Sequence, residues 1–215
     1  MKGLVEDLLL LARMDQVRQA DRAPVDLSVL AADACSDVTA MEPGRPVTLY
    51  APQPVIVLGT EAHLRQALGN LLANALKHTP AGTAIDVSCY LDDGRAVLSV
   101  RDHGAGLDEE ALGHVFDRFW QKDPARAGSG AGLGLAIVAA VAAEHDGVVT
   151  AANAPGGGAV FTVRLPLVPS PAPVPSPAPV PSPAPVPSPA PVPSPEPAPN
   201  GPGEPERAVT ARGAS

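Results

Sequence analysis

Three groups of residues have the types and spacing to do chemistry. The first is Asn70, Asn74 and Lys77, within Leu64-Arg-Gln-Ala-Leu-Gly-Asn-Leu-Leu-Ala-Asn-Ala-Leu-Lys-His-Thr79. On a helix, residues four apart lie one turn above each other, so the two amide oxygens point the same way. Amide oxygens suit a hard cation such as Mg²⁺, which keeps waters and substrate phosphates in its shell. Lys77 on the same stripe could meet a phosphate oxygen; a plain solvated face is the alternative. The second group is Asp102-His-Gly-Ala-Gly-Leu107. Its glycines let a ligand approach the backbone closely, and a carboxylate at a strand end could accept from an exocyclic amine. A turn with an Asp cap reads equally simply. The third is Gly128-Ser-Gly-Ala-Gly-Leu-Gly-Leu135. It lacks the Lys-Ser/Thr of a P-loop and the last glycine of Gly-x-Gly-x-x-Gly. A glycine loop opening a helix still offers N–H groups and a positive dipole to phosphate, though turn glycines alone would look the same.

The elements that must position these groups follow from periodicity. At about 100° per residue, Leu64, Leu68, Leu71, Leu72, Ala75 and Leu76 share one face of a helix over 61–78, and Gln66, Asn70, Asn74 and Lys77 share the opposite one. Residues 27–41 read as a helix between Pro24 and Pro43. Two strand-like runs follow, over 46–50 and 54–58. The alternating segments 83–91 and 95–101 flank Asp92-Asp93-Gly94, the signature of a hairpin. The second strand leads directly into Asp102. A short helix over 108–115, a loop to Gly128 and a helix over 132–145 come next. Strands over 147–152 and 159–165, turning at 153–158, close the fold. The class is α+β with a mixed or antiparallel sheet.

Composition limits the partners. The formal charge is −8 and no basic cluster occurs, so nucleic acid is not expected. Cys35 and Cys89 lack metal-like spacing, and a reduced, cytoplasmic setting is expected. No apolar run approaches the roughly 18 residues of a membrane span. Leu4, Val5, Leu8, Leu11 and Ala12 recur at helical spacing. From Val168 the unit Val-Pro-Ser-Pro-Ala-Pro repeats, its fifth copy carrying Glu196. Proline at alternate positions removes half the backbone donors, so 168–215 is expected to be disordered or polyproline II.

Taken in order, these groups resemble the ATP-site boxes of bacterial two-component sensor histidine kinases. The N box is Leu64–Thr79, the first glycine box Asp102–Leu107, the F box Val115-Phe-Asp-Arg-Phe-Trp120, and the second glycine box Gly128–Leu135. The closing Pro155-Gly-Gly-Gly158 and Phe161-Thr-Val-Arg-Leu-Pro166 resemble the family's last hairpin. The resemblance implies a Bergerat-type two-layer α/β sandwich that binds ATP and Mg²⁺. It implies Asn74, supported by Asn70, on the metal, Asp102 on the adenine amine and Lys77 near the phosphates. Phe116 and Phe119 would anchor a lid over 118–131. Gly104, Gly106, Leu107, Arg118, Gly130, Gly132, Leu133, Gly134 and Thr162 complete the implied nucleotide set.

The departures matter as much. The family phosphorylates a histidine followed by an acidic residue on the first helix of a dimerising hairpin. His145 is followed by Asp146, but His63, His78, His103, His114 and His145 all lie inside the ATP-domain pattern and none on such a hairpin. His63 is expected on a helix surface. Residues 1–20 resemble only the second helix of the dimerising hairpin, 21–167 the ATP-binding domain, and 168–215 a tail, so the sequence is expected to be truncated. The implied function is transfer of the ATP γ-phosphate to a histidine supplied by a histidine-bearing hairpin or a fuller kinase. A response regulator acts downstream, and a homodimer is possible. A non-catalytic ATP-binding or dimerisation module is one alternative. An ATPase like gyrase or the chaperones is another, but it would need a glutamate base where Asn70 stands.

Overall fold

A computed structural model of the chain describes residues 22–122 and 131–167. The elements run β1 (Ala23–Asp26), α1 (Leu27–Met41), β2 (Val47–Tyr50), β3 (Ile56–Gly59), α2 (Glu61–His78), β4 (Ile85–Asp92), β5 (Arg95–Asp102), α3 (Glu109–His114), α4 (Gly134–Glu144), β6 (Val148–Asn153) and β7 (Ala159–Pro166). Five strands form one sheet in the order β2-β4-β5-β7-β6, and β1 and β3 form a separate antiparallel pair. β2 runs parallel to β4, and the other pairs of the large sheet are antiparallel. The expected residue 1–20 helix and the 168–215 tail lie outside the described residues.

The layers follow from strand alternation. Ile85, Val87 and Cys89 of β4, Leu98 and Val100 of β5, and Phe161, Val163 and Leu165 of β7 are buried on one face. They pack with Leu68, Leu71 and Leu72 of α2, Ile137, Val138 and Val141 of α4, and Leu30 and Ala31 of α1 in one core. Asp102 pairs with Ile85 two residues beyond Val100, so it shares the core face at the sheet's end. The β4–β5 turn has Asp93 at φ 47° and Gly94 at φ 72°, the two positive values of a type I′ hairpin.

Three local devices fix the helices. Asp26 caps α1 by accepting from Ser28 N at 2.9 Å. Burial raises its pKa, but hydrogen bonds from Ser28 and Val55 outweigh that and hold it below the ordinary range. α4 ends with Asp146 at φ 57°, while Gly147 N donates to Ala142 O and Asp146 N to Ala143 O, the two bonds of a Schellman motif. His145 is buried beside this end. Its Nδ1 donates to Val141 O at 2.8 Å and its Nε2 accepts from Thr60 N at 3.1 Å, which fixes the neutral tautomer and joins α4 to the start of α2. Burial pushes its pKa down.

Candidate ATP-binding site

The polar stripe of α2 lies between two glycine segments. At its C-terminal end, Thr79 Oγ1 donates to Ala75 O at 2.7 Å and accepts from the buried Arg45 Nη1 at 2.9 Å. Thr79 Cγ2 lies 2.8 Å from where a Cβ at Gly104 would stand, so the helix end backs directly onto the first glycine box. Nine residues earlier, Asn70 Nδ2 donates to Gly134 O at 3.2 Å, where α4 begins. At 1.5 Å per residue these two contacts stand roughly 14 Å apart along α2. Asn74, half buried, and Lys77, exposed, lie on the helix between them.

Each of these two contacts has its own chemistry nearby. Asp102 is 5% exposed, and its Oδ1 accepts from Gly104 N at 2.9 Å and Ala159 N at 3.2 Å. Both bonds fall on one oxygen, which leaves Oδ2 to meet a donor. At the other end, α4 starts at Gly134 without a side-chain cap, so its first N–H groups and helix dipole are offered to an anion. His78, the last residue of α2, is pushed to a lower pKa by burial and by Lys77.

The F box is tied to the core and to the segment before α4. Phe116 is half buried and meets the core residue Phe161 edge-on, with ring centroids 6.4 Å apart. Phe119 differs from expectation: its side chain is 59% exposed, and its backbone carries the anchoring contact through N to Gly132 O at 2.9 Å. Gly132 has φ +68°, and a Cβ there would stand 2.8 Å from both Phe119 C and Trp120 O, so only glycine permits this junction. Arg118 is exposed. Gly130, and most of the segment 118–131 that contains it, fall outside the described residues.

Two other expected positions are corrected. Leu133 is 2% exposed, with its side chain in the core, so only its backbone is available to a ligand. Thr162 pairs with Ser99 and Thr150. Strand alternation therefore sends it to the sheet face opposite Asp102. His63 is not a free surface residue either, since its Nδ1 lies 2.9 Å from Glu144 Oε2. Arg45 and Asn153 carry no local motif that would have marked them. Arg45, 5% exposed, pairs with Glu42 at 2.7 Å and also binds Thr83 O at 3.0 Å. Asn153 stands where a sequence reader sees only the start of a turn, yet it binds the backbone of Leu107 at two points.

Other titratable and thiol groups stand away from these residues. Burial raises Asp86, but hydrogen bonds from Thr48 and His103 outweigh it and hold the carboxyl below its ordinary range. Burial pushes the Cys35 thiol up to about 11 and the Cys89 thiol up to about 12, which leaves both unreactive. No helix among the described residues is long and apolar enough to cross a membrane.

Helices layered on a mixed sheet, with α2 reaching from an acidic strand end to an open helix start, define the class as a Bergerat-type nucleotide-binding sandwich. Comparison with known proteins agrees. Residues 59–169 match the model of the histidine kinase-, DNA gyrase B-, and HSP90-like ATPase family, and the chain belongs to that family. It is 46% identical over 168 residues to the probable sensor histidine kinase TcrY of Mycobacterium tuberculosis, covering 76% of this chain and 35% of that protein. The ATP-binding domain of PrrB from the same organism superposes with a TM-score of 0.58 at 33% identity, covering 69% of this chain and 98% of that one. Full-length ShkA in complex with AMPPNP gives a TM-score of 0.65 at 31% identity, covering 77% of this chain and 35% of that one. The chain carries the ATP-binding catalytic domain of a sensor histidine kinase, and it spans about a third of the length of TcrY.

Proposed function

We propose that residues 21–167 bind Mg²⁺·ATP along the polar stripe of α2 and pass the γ-phosphate to a histidine that this sequence does not carry. The observation that carries this reading is the double contact of α2, with Thr79 against Gly104 at one end and Asn70 on Gly134 at the other. A nucleotide laid along it has its base beside Asp102 and its phosphates at the start of α4. Asp102 Oδ2 accepts from the adenine amine. Asn74, with Asn70, supplies amide oxygens to Mg²⁺, a ligand type that cation prefers. The donation from Asn70 Nδ2 to Gly134 O turns its Oδ1 to the acceptor role that fits this assignment. When bound, the metal neutralises phosphate charge, and the chain's part is to position and to exclude water.

The acceptor assignment rests on the histidines. His63, His103 and His114 are paired with Glu144, Asp86 and Asp117, and His145 is buried with both ring nitrogens engaged. His78 is the last residue of α2, at the end of the stripe that carries Asn74 and Lys77. The natural acceptor is therefore a dimerising helical hairpin on a fuller kinase, with a response regulator downstream. The setting is the cytoplasm, where ATP is available. Hydrolysis by a chaperone-like route is disfavoured, because an amide at Asn70 takes no proton from water. Calorimetry with ATP and GTP tests the site. GTP presents a carbonyl where ATP has the amine, so it binds more weakly; equal affinities would remove Asp102 from the adenine.

A further inference from the structure

The turn between β6 and β7 builds the back wall of the first glycine box. Asn153 Oδ1 accepts from Leu107 N at 2.7 Å, and its Nδ2 donates to Leu107 O at 2.8 Å. One side-chain amide thus satisfies both backbone groups of the residue that ends the box. The fit is close on the neighbouring residue too. Gly106 has φ +79°, and a Cβ there would stand 2.6 Å from Asn153 Oδ1. The rest of the turn follows the same contour. Ala159 N reaches Asp102 Oδ1, Arg101 Nη2 donates to Pro155 O and Gly157 O at 3.0 and 3.1 Å, and a Cβ at Gly158 would overlap the Asp102 carbonyl oxygen. Asn153 is nevertheless exposed and outside the core cluster. Its two bonds hold a loop rather than fill an interior.

We propose that Asn153 is a positioning residue for the base end of the nucleotide site, holding Gly104–Leu107 in the shape that receives the adenosine moiety of ATP. The inference rests on the assignment of Asp102 to adenine. Without the clamp, a loop with two glycines must be ordered by the ligand itself, and that conformational cost appears as lost affinity. The phosphate end, at Asn70, Asn74 and Gly134, has no contact with Asn153 and is left as it was.

The test compares the wild-type chain with Asn153→Ala and Asn153→Asp, titrated with adenosine, with ATP and with inorganic triphosphate in Mg²⁺. Losing two neutral hydrogen bonds of ordinary strength predicts adenosine and ATP binding about 5- to 150-fold weaker in Asn153→Ala. Triphosphate binding stays within twofold, and the Leu107 amide exchanges faster with solvent. Asn153→Asp keeps the shape of the side chain but sets a carboxylate oxygen against the Leu107 carbonyl. It shows the same split and serves if the alanine variant misfolds. Unchanged adenosine affinity in a folded variant overturns the proposal, and so does equal loss for adenosine and triphosphate, the mark of a general structural role. Failure of the wild-type chain to bind ATP would instead overturn the nucleotide-site reading beneath it.

Discussion

Asp102 serves two masters, and two substitutions separate them. Its Oδ1 takes the N–H groups of Gly104 and Ala159, while Oδ2 is assigned to the adenine amine. Asp102→Asn keeps one carbonyl oxygen for the two backbone donors, so the loop retains its internal bonds. It places an NH₂ group against the adenine amine, donor against donor. A hydrogen bond to a charged group contributes about 1.5–3 kcal/mol, so ATP affinity falls by about 10- to 150-fold while the melting midpoint moves little. Asp102→Ala removes the acceptor altogether. Two backbone N–H groups, one of them at the buried Ala159, then lose their partner at about 1–3 kcal/mol for each buried group left unsatisfied. That variant loses several degrees of midpoint as well as affinity, since about 1 kcal/mol corresponds to 2–4 °C in a chain of this size. Calorimetry for ATP and a thermal melt without ligand, run on both variants, give the four numbers needed. Equal midpoint losses in the two variants would refute the division of labour between the oxygens.

Two further outcomes follow from the same geometry. Asn74→Ala lowers the enhancement of ATP affinity by Mg²⁺ more than it lowers Mg²⁺-free affinity; equal losses in both conditions would make Asn74 structural. His145 is held neutral in the fold, so the unfolded chain binds more protons than the native one as pH falls below about 6.5. Its contribution to stability is complete above that pH and is lost progressively below it. Urea midpoints between pH 7.5 and 5.5 decline in the wild type, with a shallower slope in His145→Gln; the remaining slope includes His78, which burial shifts the same way. Parallel slopes would mean that His145 carries no such linkage.

Sequence alone showed most of what is periodic or locally punctuated. The apolar face of α2, the Asp-Gly hairpin and the strand running into Asp102 all appear within a residue or two of expectation. β1 was not visible because it is four residues long, contains Pro24 and exists only by pairing with β3 some thirty residues on. Thr162 was misassigned because a motif matched by sequence carries no strand parity, and one residue decides the face. Leu133 sits inside a glycine-rich motif, yet its side chain belongs to the core. Asn153, Arg45 and His145 were missed for one shared reason. Their partners, Leu107, Thr79 and Thr60, are distant in the chain, and a lone polar residue in a sequence does not announce a long-range backbone contact.

The most direct measurement of the central claim is phosphoryl transfer in trans. The full chain is incubated with γ-labelled ATP, Mg²⁺ and a separate dimerising hairpin of a sensor histidine kinase that carries its acceptor histidine. Acid-labile phosphate is expected on the hairpin and not on this chain, and Asp102→Asn reduces the rate in step with its loss of ATP affinity. Phosphate that maps to any of the five histidines of this chain, or an unlabelled hairpin at ATP concentrations where calorimetry finds the site saturated, would contradict it.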